Sequence, residues 1–177
     1  VIVRVSPSGN DTNDGSSCAL TKRTVQGGLD AAGAQGGEVW VAAVTYNERI
    51  TLPTYAYLYG GFVGTESSRG ERNWIANSTV LDGGKAGSVV QAQVGHGLSC
   101  IDGFTIRNGS GTLIGSTRYG GGVYCYYSSP MISNNTITAN RASSGVGRCC
   151  RFSSPASANN TITANSFNAY GGGIYWD

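Results

Sequence analysis

The sequence has few of the residues that mark the common functional classes. It contains a single histidine, and its five cysteines form no Cys-x-x-Cys pair, so zinc and haem signatures are absent. Charged residues make up only 12% of the chain, the formal net charge is +2, and Lys and Arg form no cluster. Because a nucleic-acid binder normally carries a basic patch, we expect no nucleic-acid partner. No apolar run reaches about 18 residues, so we also expect no membrane insertion.

The composition excludes two further classes. Apolar residues reach 40%, which is too many for a disordered chain, and four prolines are too few for collagen. Glycine is abundant at 28 residues, and Asn, Ser and Thr are frequent, which predicts many short strands joined by tight turns. At 177 residues the chain has room for one domain with a substantial core. We expect the cysteines to be buried thiols rather than a disulfide framework.

A segment of thirteen residues occurs twice in nearly the same form. "SSPMISNNTITAN" occupies Ser128–Asn140, and "SSPASANNTITAN" occupies Ser153–Asn165, 25 positions later. A unit of this length cannot bury its own apolar side, whereas stacked units can, and they form a solenoid. Partial copies extend the series: "TVLDGG", "IDGFTIRNG" and, at the end of the sequence, "YGGGIYW". Because the sequence stops inside that last copy, one interpretation is that it is a fragment of a longer protein.

Alternation within the repeat predicts how the units stack. In "NNTITAN" Ile137 lies on one face of a short strand, and the threonines beside it lie on the other. Strands of adjacent parallel coils lie about 4.8 Å apart, so residues one repeat apart become neighbours. The expected pairs are Ile137 with Ile162, Asn135 with Asn160, and Cys125 with Cys150. The spacing leaves open whether the cysteine pair is two thiols or a disulfide.

A parallel β-helix fits this pattern best. A leucine-rich repeat needs a Leu-dominated consensus that is missing, and a propeller blade needs roughly 40 residues. We predict an all-β chain forming one domain, a single-stranded right-handed parallel β-helix of roughly five or six coils. Residues 1–36 would form an N-terminal strand, a polar loop and a short capping helix, and residues 37–177 the coils. The helix is expected over Thr24–Gln35, and the first strands at Val1–Val5, Glu38–Ala42 and Arg49–Leu52.

The N-terminal third carries a family resemblance. "VSPSGNDTNDGSS", "TVQGGLDAA" and "GGEVWVAAVTYNERITL" resemble the opening of secreted bacterial proteins of the pectate-lyase-like superfamily. The later "IDGFTIRNG" and "SNNTITAN" are similar to the coil repeat of that superfamily. The resemblance implies a right-handed parallel β-helix and a secreted or cell-surface location. It does not decide the activity, because the superfamily includes lyases, glycoside hydrolases, epimerases, phage tailspikes and surface proteins.

Four ionisable residues are the catalytic candidates. Asp82 in "LDGG" and Asp102 in "IDGF" lie in similar local sequences, 20 residues apart. Lys85 and Arg107 are 22 residues apart, which is a similar offset. If the coils align at these offsets, one surface carries two carboxylates and two cations. Two carboxylates about 5–10 Å apart would suit a glycosidase. If the protein is a lyase, the resemblance implies a Lys or Arg base and a Ca²⁺ ion that neutralises the sugar carboxylate. Apart from that Ca²⁺ we expect no metal and no cofactor. The alternative is Asp-Gly turn chemistry.

The single histidine offers a second candidate. His96 lies in "VGHGLS", which resembles the polygalacturonase segment that holds a histidine near the active site. The other signatures of those enzymes are missing: an Asn-Thr-Asp, an Asp-Asp pair and a downstream Arg-x-Lys. His96 is therefore either a substrate-binding residue or an ordinary loop residue. A triad with Ser99 and Asp102 is disfavoured because the three lie too close in sequence.

Aromatic residues concentrate in the repeat region. Tyr124 and Tyr126, with Tyr127 beside them, are candidates for stacking on sugar rings. Phe152 occupies the position of Tyr127 one repeat later, and Tyr175 that of Tyr124 two repeats later. An earlier strand carries Tyr55, Tyr57 and Tyr59 in alternation. The alternative is a ladder of aromatic rings that pack on one another along the wall.

The second repeat contains an arginine at an inward position. Arg148 stands where the first copy has Val123, and Ser157 stands where it has Ile132. A buried unpaired arginine would be costly. A shift of register in that coil is the favoured explanation; a wall open to solvent, or a bound anion that would make Arg148 substrate-binding, are the others.

Two classes of function stay open at this point. The first is a carbohydrate-active protein, a lyase or a glycosidase, that acts on or binds a polysaccharide or cell-surface glycan. The second is a non-catalytic surface, adhesive or structural module. The sequence does not decide between an enzyme and a module, and it does not give the oligomeric state.

Overall fold

Most of the regular structure is β-strand. The computed structural model describes residues 1–33, 36–95 and 98–176. Within them one α-helix, α1, spans Val25–Gly33, and one 3-10 turn spans Arg69–Glu71. The strands in chain order are β1 (Ile2–Val5), β2 (Gly37–Ala42), β3 (Thr45–Tyr46), β4 (Ile50–Thr51), β5 (Ala56–Phe62), β6 (Thr79–Asp82), β7 (Val90–Gly95), β8 (Cys100–Asp102), β9 (Phe104–Arg107), β10 (Thr112–Ile114), β11 (Thr117–Tyr119), β12 (Val123–Ser128), β13 (Met131–Ser133), β14 (Thr136–Thr138), β15 (Arg141–Ser144), β16 (Arg148–Arg151), β17 (Ser157–Ala158), β18 (Thr161–Thr163), β19 (Ser166–Tyr170) and β20 (Ile174–Trp176).

Successive coils add one strand to each of three sheets. Sheet 1 has the order β1-β2-β5-β8-β13-β17, sheet 2 the order β3-β6-β9-β14-β18, and sheet 3 the order β4-β7-β12-β16-β20. All neighbours in these sheets are parallel. Sheet 4, β10-β11-β15-β19, joins the coils from β10 onward, and its β10–β11 pair is antiparallel. The predicted all-β parallel β-helix is confirmed.

Apolar side chains stack in columns inside the coils. Period-two alternation sends every second residue of a strand inward, and the parallel register places inward residues of successive coils side by side. In sheet 1 the column is Val3, Val39, Leu58, Ile101 and Ile132, and in sheet 2 it is Tyr46, Leu81, Ile106, Ile137 and Ile162. Ile162 therefore lies beside Ile137 as predicted, and Cys150 lies beside Cys125.

Asparagine side chains bridge the coils where strands of sheet 2 begin. The Asn135 side chain accepts a hydrogen bond from the Phe104 backbone N–H at 2.9 Å and donates one to the Ile101 carbonyl at 3.0 Å. One coil later, Asn160 Oδ1 accepts from the Asn135 backbone N–H at 3.0 Å. Asn135 is almost fully buried, so its amide supplies partners that water cannot supply to these backbone groups. The predicted stacking of Asn160 on Asn135 is confirmed.

A second asparagine ladder lies where the same strands end. Asn140 accepts from the Gly109 backbone N–H at 2.8 Å and donates to the Ile106 carbonyl at 3.0 Å, and Asn165 repeats the arrangement one coil later. The residue before each of these asparagines, Ala139 or Ala164, has positive φ, as has the equivalent Asn108. Each three-residue strand of sheet 2 is thus held at both ends by an inward amide.

The N-terminal end is covered by α1. Its buried residues are Val25, Gly28, Leu29 and Ala32, so one face packs on the first strands. Thr24 is the N-cap, since its hydroxyl accepts from the Gly27 N–H at 3.0 Å. The Glu48 carboxylate accepts from the N–H groups of Val25 and Gln26. The predicted capping helix is confirmed up to Gly33; residues 34 and 35 lie outside the described residues. In the described parts of the chain no helix is long and apolar enough to cross a membrane.

Replacing Asn135 by Ala tests the ladder. We expect Asn135→Ala to lower the free energy of unfolding by about 2–4 kcal/mol, because a buried N–H and a buried carbonyl both lose their partner. Asn168→Ala, on the exposed strand β19, is the control and should change it by less than about 0.5 kcal/mol. Urea unfolding followed by circular dichroism measures both. Equal losses would show that the amides do not hold the corners.

Candidate functional site

A groove of about 500 Å³ runs along the corner between sheets 1 and 2. We call it the corner groove. Its floor crosses the coils of β9, β14 and β18, and one wall comes from the connection between β5 and β6, residues 63–78, here called the β5–β6 loop. In the other described coils the connection from sheet 1 to sheet 2 is only one or two residues long. The corner groove is therefore formed where a non-repeating segment lies against the repeating surface.

Threonine hydroxyls and asparagine amides line the floor. Thr105, Thr136 and Thr161 are ladder neighbours in sheet 2, with the isoleucines beside them pointing inward. Asn134 and Asn159 lie at the corner, and the Asn159 side-chain amide donates to Asn134 Oδ1 at 3.4 Å. A strand spacing of about 4.8 Å sets the distance between successive rows. The floor thus presents the same hydrogen-bonding groups at a regular interval.

The wall presents two apolar side chains. Trp74 is 37% exposed and Ile75 is 85% exposed. The loop turns here because the Asn73 side chain accepts hydrogen bonds from the backbone N–H groups of Ile75 and Ala76, at 3.2 and 3.0 Å. A third bond runs from the Asn77 N–H to the Asn73 backbone carbonyl at 2.8 Å. The turn directs Trp74 to the edge of the corner groove.

A buried arginine fixes this wall to the coils. The Arg72 guanidinium lies over two rings, 4.9 Å from the centroid of Tyr59 and 4.7 Å from that of Trp74. It donates to the Asp102 carboxylate at 2.5 Å and to the Gly60 carbonyl at 3.1 Å. The two side chains of this ion pair are only 9% and 10% exposed. Because both charges are removed from water, each needs the other.

Asp102 is a supporting residue of the corner groove. Its second carboxylate oxygen accepts from the Ser133 hydroxyl at 2.6 Å and from the Asn134 amide at 2.9 Å. It is therefore linked on one side to the loop that carries Trp74 and on the other to the floor. Both of its carboxylate oxygens therefore accept hydrogen bonds from side chains of the protein.

The corner groove is uncharged. Among the described residues that line it, the side chains are threonine, serine, asparagine, phenylalanine, tryptophan and isoleucine, and none carries a charge. Hydroxyls and amides both donate and accept hydrogen bonds, while the Trp74 ring offers an apolar face. A ligand that matches these groups is neutral, rich in hydroxyls and elongated.

The structure separates the four predicted catalytic residues. The expected alignment of Asp82 with Asp102 is wrong: Asp82 is the ladder partner of Arg107 in sheet 2, while Asp102 lies in sheet 1 beside Tyr59. Asp102 lies just before the start of β9 and Arg107 at its end, so the length of this strand, about 10 Å, separates them. Lys85 lies in the exposed turn after β6, where its backbone N–H donates to the Asn108 carbonyl. It is thus adjacent to Asn108 and not aligned with Arg107.

Asp82 and Arg107 form a local cluster. The Asp82 carboxylate accepts from Arg107 Nε at 2.9 Å, from the Asn108 amide at 2.8 Å and from the Gly84 backbone N–H at 3.0 Å. Burial acts to raise the pKa of Asp82, but the bonds from Gly84, Asn108 and Arg107 outweigh it, so the pKa lies below its usual value. A carboxylate held in this way is a poor general acid, and its bond to Gly84 is the turn chemistry considered as the alternative.

The other sequence candidates have separate locations. His96 lies outside the described residues. In sheet 3, Tyr124 is only 2% exposed, and its ring stacks on Tyr126 with centroids 6.3 Å apart. Tyr127 stacks on Phe152 at 4.8 Å. These rings pack on one another, as the ladder interpretation predicts, and they do not line the corner groove.

The register explanation for Arg148 is wrong. Arg148 pairs with Val123 on one side and with Ile174 on the other, without a shift. Backbone bonds from the Val123 N–H to the Gly147 carbonyl and from the Arg148 N–H to the Gly173 carbonyl keep the ladder intact. The side chain points inward and is 2% exposed, so the wall is not open to solvent either.

The sequence interpretation missed the β5–β6 loop. Its residues match no repeat, so a search by coil offset passes over them. One signal was available: in a chain with few charges, Glu66, Arg69, Glu71 and Arg72 fall close together and are followed by Trp74. A cluster of charges beside an aromatic residue in a break between repeats indicates an ordered loop that packs on the coils.

Comparison with known proteins places the fold in a family. A protein-family profile described as "Protein of unknown function (DUF1565)" matches residues 7–176. The chain belongs to the DUF1565 family. That family is associated with β-helix proteins, in agreement with the parallel coils. For this DUF1565 protein, neither a search of curated proteins nor a search of solved structures found a match. Over the described ranges, no group of three or more His, Cys, Asp or Glu side chains is placed to hold a metal ion.

Breaking the buried ion pair of this DUF1565 protein should be costly. We expect Arg72→Met to lower the free energy of unfolding by about 3–5 kcal/mol, because it leaves the Asp102 carboxylate buried without its cation. The double variant Arg72→Met/Asp102→Asn should recover part of that loss. Arg69→Met breaks the more exposed pair with Glu38 and should cost at most about 1 kcal/mol.

Urea unfolding of the three variants, with wild type as reference, measures these differences. A loss for Arg72→Met no larger than that for Arg69→Met would contradict the anchoring role of the buried pair.

Proposed function

We propose that this chain binds an uncharged polysaccharide in the corner groove and does not cleave it. The observation that carries the proposal is the lining of the corner groove, in which uncharged hydroxyl and amide side chains repeat from coil to coil beside the exposed ring of Trp74. A partly exposed aromatic ring can stack on the apolar face of a sugar, and the polar rows can exchange hydrogen bonds with its hydroxyls.

The length of the corner groove supports a polymer rather than a small ligand. Its floor spans three consecutive coils through Thr105, Thr136 and Thr161, and the repeating groups would meet repeating sugar units. A site of this shape gains affinity by adding similar weak contacts along the polysaccharide chain. The partner expected from the sequence, a polysaccharide or cell-surface glycan, is a ligand of this kind. The resemblance to the pectate-lyase-like superfamily implies the secreted or surface location at which the chain would meet it.

Binding is favoured over cleavage by the state of the carboxylates. A glycosidase needs two carboxyl groups that face one scissile bond, and a lyase needs an available base near an acidic sugar. Asp102 is engaged on both oxygens by Arg72, Ser133 and Asn134. Asp82 serves a turn in another part of the coil, and its pKa is lowered rather than raised. The lyase-like or glycosidase-like alternative therefore has the weaker support.

Affinity electrophoresis tests the binding proposal. The protein would be run through native gels that contain galactomannan, hydroxyethylcellulose, soluble starch or, as the charged member, polygalacturonate. We expect at least one neutral polymer to retard it, and Trp74→Ala to weaken that binding by about tenfold or more, the equivalent of one lost stacking contact. Tyr170→Ala, which removes an exposed ring in sheet 4, should bind like wild type.

A matched pair of variants tests the threonines on the floor of the corner groove. Thr136→Val removes a hydroxyl that lines the corner groove and should weaken binding several-fold. Thr138→Val changes the same strand at a position outside the lining and should not. If no neutral polymer binds, or if Trp74→Ala and Thr136→Val bind as well as their controls, the proposal is wrong.

The absence of cleavage is a separate expectation. Incubation with the same polymers, with and without Ca²⁺, should release neither unsaturated products detected by their ultraviolet absorbance nor new reducing ends. Turnover that is lost in Asp82→Asn or Asp102→Asn would restore the enzyme hypothesis.

A further inference from the structure

Two cysteines face each other across adjacent coils of sheet 3. Cys125 and Cys150 are ladder partners in the parallel β12–β16 pair, and both are fully buried. In-register parallel neighbours lie about 4.8 Å apart at their Cα atoms, which falls within the range of about 4.4–6.8 Å that a disulfide spans. Both thiols are free in the structure. The backbone therefore already has the spacing that a disulfide requires.

A buried cation shares their interior face. Arg148 precedes Cys150 by two residues, so both side chains point inward from β16. Arg148 is 2% exposed, its Nε has no hydrogen-bond partner, and its guanidinium lies 6.0 Å from the ring centre of Trp176. None of the ion pairs between described residues includes it. A buried cation of this kind needs an anion close by.

Cys150 can supply that anion. The hydrogen bond from Cys125 lowers the pKa of the Cys150 thiol; burial opposes this, and the Arg148 charge and a hydrogen bond from Trp176 lower the pKa further, so it lies below the usual thiol value. Cys100 has the opposite setting, because burial and the nearby Asp102 charge raise its pKa to about 11. The chain thus contains an activated thiol and an inert one, both buried.

We propose that Cys125 and Cys150 are a redox-active pair in which Arg148 and Trp176 hold Cys150 as the attacking thiolate, and that oxidation by a small hydroperoxide joins two coils by a disulfide. The Cys150 thiolate attacks one peroxide oxygen, the O–O bond breaks, and a sulfenic acid and hydroxide form. The Cys125 sulfur then attacks the sulfenic sulfur, forming the S–S bond and releasing water. The hydroxide takes up the proton that Cys150 released on ionising, so in sum two thiols are oxidised to a disulfide and one hydrogen peroxide is reduced to two waters.

The experiment uses the full chain, reduced and then treated with hydrogen peroxide at a few equivalents. We expect a mass loss of about 2 Da from two thiol hydrogens, loss of two titratable thiols, and a peptide map that links Cys125 to Cys150. The bond joins positions 25 residues apart, so the oxidised form should melt about 5 °C or more above the reduced form. Cys149→Ser, repeated in parallel, removes the neighbouring thiol and should leave the link unchanged.

Variants separate activation from simple proximity. In Cys125→Ser the sulfenic acid on Cys150 should persist and be trapped by dimedone, while Cys100 in the same molecules stays unlabelled. Arg148→Met should slow peroxide consumption at neutral pH by about tenfold and shift the rate profile to higher pH, because fewer thiolates are present. Arg148→Lys keeps the charge and should restore much of the rate.

Three outcomes would overturn the proposal. The first is that Cys125 and Cys150 remain thiols while the exposed Cys18 is oxidised. The second is equal dimedone labelling of Cys150 and Cys100 in Cys125→Ser. The third is a folded Arg148→Met protein whose rate profile matches wild type. If Arg148→Met does not fold, the labelling contrast within Cys125→Ser decides the question without it.

Discussion

The inward asparagines at the two ends of the sheet 2 strands are the contacts on which the coil geometry depends. A chain that turns a corner every few residues breaks its ladder at each corner and leaves backbone N–H and carbonyl groups facing a dry interior. Asn135 and Asn140 each accept from one such N–H and donate to one such carbonyl of the preceding coil. An aliphatic side chain could fill the space but could satisfy neither group, so the repeat keeps its asparagines for a structural reason.

This constraint determines where function can reside. Inside the coil every position is committed to a column, and on the outer face the repeats present similar side chains from one coil to the next. A distinctive surface therefore needs a segment that escapes the repeat. The β5–β6 loop is such a segment, and the Arg72–Asp102 pair gives it a defined position by joining it to two coils at once. The charges support the corner groove from beneath and leave its lining neutral.

The 25-residue period predicts the contacts that obey it, and the expected alignment of Asp82 with Asp102 failed because it departs from that period. Ile137 with Ile162 and Cys125 with Cys150 were found because both pairs obey it. Asp82 and Arg107 are also 25 residues apart, whereas Asp82 and Asp102 are 20 apart and share only a similar local sequence. The local likeness of "LDGG" and "IDGF" reflects two glycine turns at different corners. Trp74 could not be found in this way, because its position depends on the packing of Arg72 between two rings.

Arg148 shows the same principle in the interior. Replacing the Val123 equivalent by arginine brings a charge into an apolar column, and an unshifted ladder keeps it there. The cost of that charge falls if the neighbouring inward residue ionises, and in this coil the neighbour is a cysteine rather than an aliphatic residue. The arginine and the thiol thus lower the cost of burying each other's charge: the cation favours the thiolate, and the thiolate balances the cation. This pair lies in sheet 3, whereas the corner groove lies between sheets 1 and 2, so changes at Arg148 can alter thiol chemistry without touching the surface proposed to bind the glycan.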